Sequence, residues 1–342
     1  MALHTVAAGR AWVYSHHVGR QALVGQGFSQ PVGVAVTKDG TLYVANRSGE
    51  QNPSTRITKA TVKHEYINEF GRSGEAYSDN AGSHFTWLTG IALDENENVY
   101  GSDEWQSRIS IFDKDGNLLK VWGERGDGES QLNGPAGLAF DPQGNLWVSN
   151  AFSSRIQQFT KDGKYLGGFG KHGNGEGELD MPYGIAVDAQ GDVYVADWNN
   201  HRVQKFNPQG KHLLTFGHGG GGAGALKHPT GVCVDNDGDV YVVDWMHERV
   251  VIFSPQAKPL AYLYGDAVEV SPWGMMSLDA NPDMVRRRSQ VEDLVDQQRK
   301  FRMPTGCAFD RDNNQLLICD TARGRIQIYT KEKQYADPQR NL

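Results

Sequence analysis

A glycine inside an alternating apolar stretch returns six times along this chain. QPVGVAV, WLTGIAL, GPAGLAF, MPYGIAV, HPTGVCV and MPTGCAF place Gly33, Gly90, Gly137, Gly184, Gly231 and Gly306 in one register. The central steps are 47 residues long, and steps of 57 and 75 residues open and close the series. A period of this size constrains a fold more than any single motif. Each copy must be one supersecondary unit, and such a unit buries its apolar faces only against its neighbours.

Two polar positions keep the same register. Thirteen residues after each of the first five glycines, and fourteen after the last, stand Asn46, Asp103, Asn150, Asp197, Asp244 and Asp320. Five residues further come Arg108, Arg155, Arg202, Arg249 and Arg325, while in the first unit Arg56 follows at ten. Six copies of one pair read as scaffold, holding a turn, because a functional site is normally singular. The fourth unit shows the strand period best: GIAVD, the turn DAQGD, then VYVAD, HRVQKF and KHLLTFG. A sheet of four such strands cannot cover both its faces alone, whereas six arranged radially can.

This pattern resembles the NHL repeat over about residues 30–330. The resemblance implies an all-β, six-bladed β-propeller of four-stranded blades, one domain over 1–342. The sixth unit ends at RIQIYTKEKQ with no fourth strand after it. The segment 10–20 at the N-terminus is therefore expected to supply that strand and close the ring.

The departures from the period all fall on connections of one face. RSGEQNPST lengthens the first unit, GRSGEAYSDNAGSHFTW lengthens the step to the second, and 28 extra residues separate units five and six. In that last insert, 266–303, Asn281 and Pro282 open an expected helix with Met284, Val291, Leu294, Val295 and Phe301 on one face. The SPWGMM before it brings Trp273, and the whole is expected to form a lid. The Arg286–Arg288 run reads as a solvated face.

Two register positions are expected to face the opening under that lid. The residues before each glycine are Val32, Thr89, Ala136, Tyr183, Thr230 and Thr305; those after each Asp/Asn are Arg47, Glu104, Ala151, Trp198, Trp245 and Thr321, with Trp105 and Phe152 one step on. Apolar walls with a few converging polar groups describe a small-molecule site. Trp105, Phe152, Trp198, Trp245, Thr89, Thr230, Thr305 and Trp273 are the expected ligand-binding residues, and Glu104, Arg47 and Tyr183 the expected catalytic ones. A Glu among aromatics has a raised pKa and can act as acid or base, and an Arg can clamp a carboxylate.

The family resemblance implies chemistry only where residues match. The amidating lyases hold zinc on inner-strand histidines, and no unit here opens with His. Arg47 falls where those lyases carry an active-site Arg, and Phe152 near their catalytic Tyr, without its hydroxyl. The divalent-metal Glu, Asn and Asp of gluconolactonase-type propellers are unmatched as well. Strictosidine-synthase-type propellers use a Glu in an aromatic pocket without metal, which Glu104 and its aromatic neighbours resemble in type. No cofactor and no metal are expected.

Composition narrows the partners. A net charge of −7 with no basic stripe argues against nucleic acid. No apolar run reaches membrane-spanning length, and the start shows no secretion signal. Cys233, Cys307 and Cys319 sit in strand patterns as reduced thiols, which with the rest points to a cytoplasmic protein. The gly-rich connections lack GK[ST] and are not phosphate loops. The carboxylates of DNDGD read as turn chemistry. The expected function is binding of a small organic molecule or short peptide in the lidded pocket, with metal-free lyase or hydrolase chemistry possible. The alternative is a protein-interaction scaffold.

Overall fold

The computed structural model describes residues 4–48, 54–73, 84–291, 293–333 and 335. Six antiparallel sheets stand around one axis. Blade four is typical: Pro182–Val187 innermost, then Val193–Asp197, Arg202–Phe206 and His212–Phe216, paired in chain order. The innermost strands of the other blades are Pro31–Val36, Leu88–Leu93, Pro135–Phe140, Pro229–Val234 and Pro304–Asp310. Blade six takes Gln315–Asp320 and Arg325–Lys333 from the C-terminal side and Arg10–Val18 from the N-terminal side. His4–Ala7 adds a fifth, outermost strand to it.

The repeated glycine is a packing requirement. The innermost strands of adjacent blades converge at the axis, so each glycine faces the main chain of the next blade. A Cβ on Gly137 would lie 2.6 Å from the Tyr183 carbonyl oxygen, on Gly184 2.6 Å from that of Thr230, and on Gly231 2.6 Å from that of Thr305. Real carbon–oxygen contacts do not come so close, and here the obstacle is backbone that cannot swing aside.

The Asp/Asn position ties each blade to the connection that enters it. In all six, its side-chain oxygen accepts the backbone N–H of the residue four before the opening glycine: Ser29, Thr86, Asn133, Asp180, Lys227 and Arg302. The repeat Arg then holds the same connection. Arg202 pairs with Asp197 at 2.9 Å and donates to the carbonyls of Gly175 and Glu178. Arg249 and Arg325 pair likewise with Asp244 and Asp320. Arg56 takes the same strand position opposite Asn46 and reaches the carbonyls of Ala22, Leu23 and Gly27. Its later place in the sequence reflects the longer turn before it.

The insert follows blade five's outer strand, Pro259–Leu263, and precedes blade six. It forms three short helices, α1 (Pro272–Asp279), α2 (Pro282–Ser289) and α3 (Leu294–Arg299), not one amphipathic helix. The break comes at Asp293, whose φ of 54° is left-handed. Met284 and Val295 are exposed, whereas Phe301 is buried. The ends of the insert are pinned together, Phe301 N–H to the Tyr264 carbonyl and Ala267 N–H to that of Arg299.

Nor do the described residues of the insert form a lid: of those in 266–303, only Met303, at its end, lines the axial opening. Trp273 is buried instead where blade six meets blade one, in one apolar cluster with Val18, Val44 and Ala60, its ring 5.6 Å from that of Phe28, and donates to the His64 carbonyl at 2.6 Å. Ser271 caps α1 and also donates to the Gly19 carbonyl. The apolar ring of Trp273 is buried in the apolar seam between these two blades. Residues 49–53 and 74–83, within the other two insertions, fall outside the described residues. Among the described residues no helix is long and apolar enough to cross a membrane.

The junction of blades five and six is ionic. In DNDGD, Asp235 accepts the N–H groups of Asp237 and Asp239, as turn chemistry requires. All three carboxylates also take the buried Lys331 ammonium from blade six, with 2.9 Å to Asp237 and 2.8 Å to Asp239. Arg10, from the closing strand, pairs with Asp239 at 2.8 Å.

Candidate functional site

The innermost strands and the turns above them enclose an axial funnel of about 420 Å³. Both expected register positions contribute. Val32, Thr89, Tyr183, Thr230 and Thr305 line it from before the glycines, and Arg47, Glu104, Trp198, Trp245 and Thr321 from after the Asp/Asn. A third position, three residues before each glycine, contributes Gln30, Trp87, Met181 and Met303. The same alignment that found the first two would have found it. At Gln30, Met181 and Met303 the backbone is left-handed, with φ of about 50°, which turns the side chain over the opening.

The polar groups meet across the ring. Arg47 comes from blade one, Thr89 and Glu104 from blade two, and Tyr183 from blade four, opposite blade one. Arg47 Nη2 donates to the Tyr183 hydroxyl at 3.2 Å and to that of Thr89 at 3.2 Å, and its Nε to the Leu88 carbonyl. Tyr183 donates to Glu104 Oε2 at 3.0 Å, which also accepts from Thr89. The Arg47 guanidinium stands 4.9 Å over the Trp87 ring, a cation–π contact that fixes its plane. Burial pushes the Tyr183 hydroxyl above its ordinary pKa, Arg47 opposes this and Glu104 reinforces it. Tyr183 is therefore a protonated donor at neutral pH, held between a cation and a carboxylate.

The aromatic wall comes from blades four and five. The rings of Trp198 and Trp245 lie 6.3 Å apart at 36°. Behind Trp198 sits His228, 4.1 Å ring to ring and hydrogen-bonded through Nδ1 to the Trp198 carbonyl. His201 packs edge-on to His228 and accepts its backbone N–H. Burial lowers the His228 pKa, with His201 adding to the effect, so the ring that backs Trp198 is neutral. Trp198 thus stands at the mouth as a wall residue with a histidine support.

Three expected ligand-binding residues lie elsewhere. Trp105 and Phe152 are 68% and 50% exposed and do not line the funnel. One residue past the wall position the turn points its side chain outward, and Phe152 covers Gly134 on the surface. Trp273 is at the rim seam. The threonines face the funnel but spend their hydroxyls on the ring: Thr230 on the Thr305 carbonyl at 2.8 Å, Thr305 on Thr321 at 2.7 Å, and Thr321 on the Pro31 carbonyl at 2.7 Å. Cys307 also lines the funnel. Burial pushes the thiols of Cys233 and Cys319 well up, which leaves them unreactive. Among the described residues no group of three His, Cys, Asp or Glu is placed to hold a metal ion.

Comparison with known proteins bears on the repeat directly. The NHL repeat family matches residues 179–206, 226–253 and 301–329, the last units of the ring. The chain carries NHL repeats in a six-bladed propeller. No curated protein sequence matches the chain. Among solved structures, a protein of unknown function from Bacteroides thetaiotaomicron superposes with a TM-score of 0.65 at 15% identity, over 94% of this propeller and 76% of that chain. A catalytically inactive virginiamycin B lyase from Staphylococcus aureus, with quinupristin, gives 0.56 at 14% identity over 96% and 93%. A gluconolactonase from Xanthomonas campestris gives 0.58 at 16% identity over 94% and 90%. At such identities the likeness is one of fold, and this propeller must be read from its own funnel.

Proposed function

We propose that this propeller binds a small organic molecule or short peptide in the axial funnel and acts on it by metal-free lyase or hydrolase chemistry. The observation that carries this is the hydrogen-bonded set Arg47–Tyr183–Glu104, assembled from three blades at one end of an aromatic-walled cavity. A scaffold needs no such convergence. Tyr183 keeps its proton and can hand it to a leaving oxygen, Glu104 beside it can receive a proton, and Arg47 can hold negative charge that develops between them. Two structural neighbours bear the names of a lyase and a lactonase, which supports the reaction class at the level of fold.

A second reading, a protein-interaction surface, is favoured by one feature: Trp105 and Phe152 are large, exposed aromatics beside the mouth. Point variants separate the two. On the first reading, screening small esters, lactones and peptides by calorimetry or turnover finds ligands lost in Trp198→Ala, and Tyr183→Phe keeps binding but loses turnover. Trp198→Ala then costs less stability than the roughly 3–5 kcal/mol of a core aromatic truncation. Ligands that bind Trp198→Ala as they bind the parent place the site elsewhere. A protein partner lost in Trp105→Ala and Phe152→Ala, but kept in Trp198→Ala, supports the second reading.

A further inference from the structure

Resting on the reading of the funnel as a ligand site, we infer that its ligand is a zwitterion on a flat apolar body, about the size of an aromatic amino acid. The two charges of the site are held near one another because both bond the hydroxyls of Tyr183 and Thr89. Each keeps an unused face. Arg47 commits Nε to Leu88 and Nη2 to Thr89 and Tyr183, and its Nη1 donors have no partner among the described residues. Glu104 takes both its bonds on Oε2, and Oε1 has none among the described residues.

Free guanidinium donors call for an oxyanion, and a free carboxylate oxygen calls for an N–H donor. A ligand with both charges on neighbouring atoms satisfies both. An anion alone would sit beside Glu104, and a cation alone beside Arg47, each leaving one charge of the pair unmatched in a partly dehydrated cavity. The rest of the funnel asks for the apolar body. Trp198 and Trp245 offer ring faces, and Met181 and Met303 are adaptable apolar side chains at its edge. A cavity of about 420 Å³ lies toward the small end of ligand sites.

Three probes that share one indole ring separate the charges: tryptophan carries both, indolepropionate only the acid, and tryptamine only the amine. Titration calorimetry on the full chain is expected to show tryptophan binding at least about tenfold more tightly than either singly charged probe. Arg47→Gln should erase its advantage over tryptamine, and Glu104→Gln its advantage over indolepropionate, with melting curves confirming that both variants fold. Equal affinities, a tighter singly charged probe, or no binding of tryptophan would overturn the zwitterion. The underlying reading fails differently. A neutral fragment whose binding is lost in Trp198→Ala sinks the zwitterion and keeps the ligand site, whereas a fragment panel with no Trp198-dependent binder sinks both.

Discussion

Gly137 and Gly167 lie in the same blade, and only one of them is indispensable. Gly137 faces the Tyr183 carbonyl of the neighbouring blade, while a Cβ on Gly167, in the outer strand Tyr165–Phe169, meets nothing within 4 Å. Gly137→Ala is expected to lower stability by about 1–3 kcal/mol through forced displacement of backbone. Gly167→Ala should be neutral or stabilising by about 0.4–1 kcal/mol, because it narrows the unfolded ensemble. Chemical denaturation of the two variants checks the contrast, and equal effects would mean that the glycine register has no steric origin. The register also explains which site residues were legible. Arg47, Glu104, Tyr183, Trp198 and Trp245 were readable because ring symmetry sends equivalent positions to one place. Trp105 and Phe152 were misplaced because one step along a turn reverses a side chain's direction. Trp87, Met181 and Met303 were passed over although they occupy a third position of the same register, and His228 was missed because it supports a wall residue without reaching the cavity.

At the scale of elements, the insert 266–303 was visible as a departure from the period, but its destination was not. Local sequence gives the helix start after Asn281. It gives nothing about whether Trp273 turns to the axis or the rim, since that depends on which apolar surface the rest of the ring leaves uncovered. The same holds for Lys331: three carboxylates in a turn suggested only a turn, because their partner lies on another blade. The observed place of Trp273 makes the insert a clasp over the junction of blades six and one. Trp273→Ala should therefore destabilise the protein by roughly 3–5 kcal/mol while leaving any funnel ligand bound with its parental affinity once folded. Denaturant midpoints and calorimetry measure the two. A loss under about 1 kcal/mol would show that the ring needs no clasp.

The whole molecule is a closed circle whose closing joint is non-covalent, and that joint contains an acid-sensitive group. His17, on the strand Arg10–Val18, is 6% exposed and bonded to the Tyr14 hydroxyl at 3.0 Å. Burial lowers its pKa to about 3, and Arg325, His64 and His16 act in the same direction. The folded ring thus holds His17 neutral where the unfolded chain, with an ordinary pKa near 6.5, takes up a proton. Stability is undiminished by this group above about pH 6.5 and falls as pH drops from there towards 3, by about 1.4 kcal/mol per unit. His17→Gln should flatten that part of the melting-temperature profile, and an unchanged acid slope would show that the joint is not where acid acts. The joint has a consequence in time as well. Arg10–Val18 leaves the ribosome well before Arg325–Lys333, with some 300 residues between them. At about 5–20 residues per second, the first strand waits roughly 15–60 s for its partner, its hydrogen-bonding edge and Trp12 unclaimed. Five blades can assemble behind it in that interval, so the later-made strand decides whether the earlier one finds its place or pairs with a strand of a neighbouring chain.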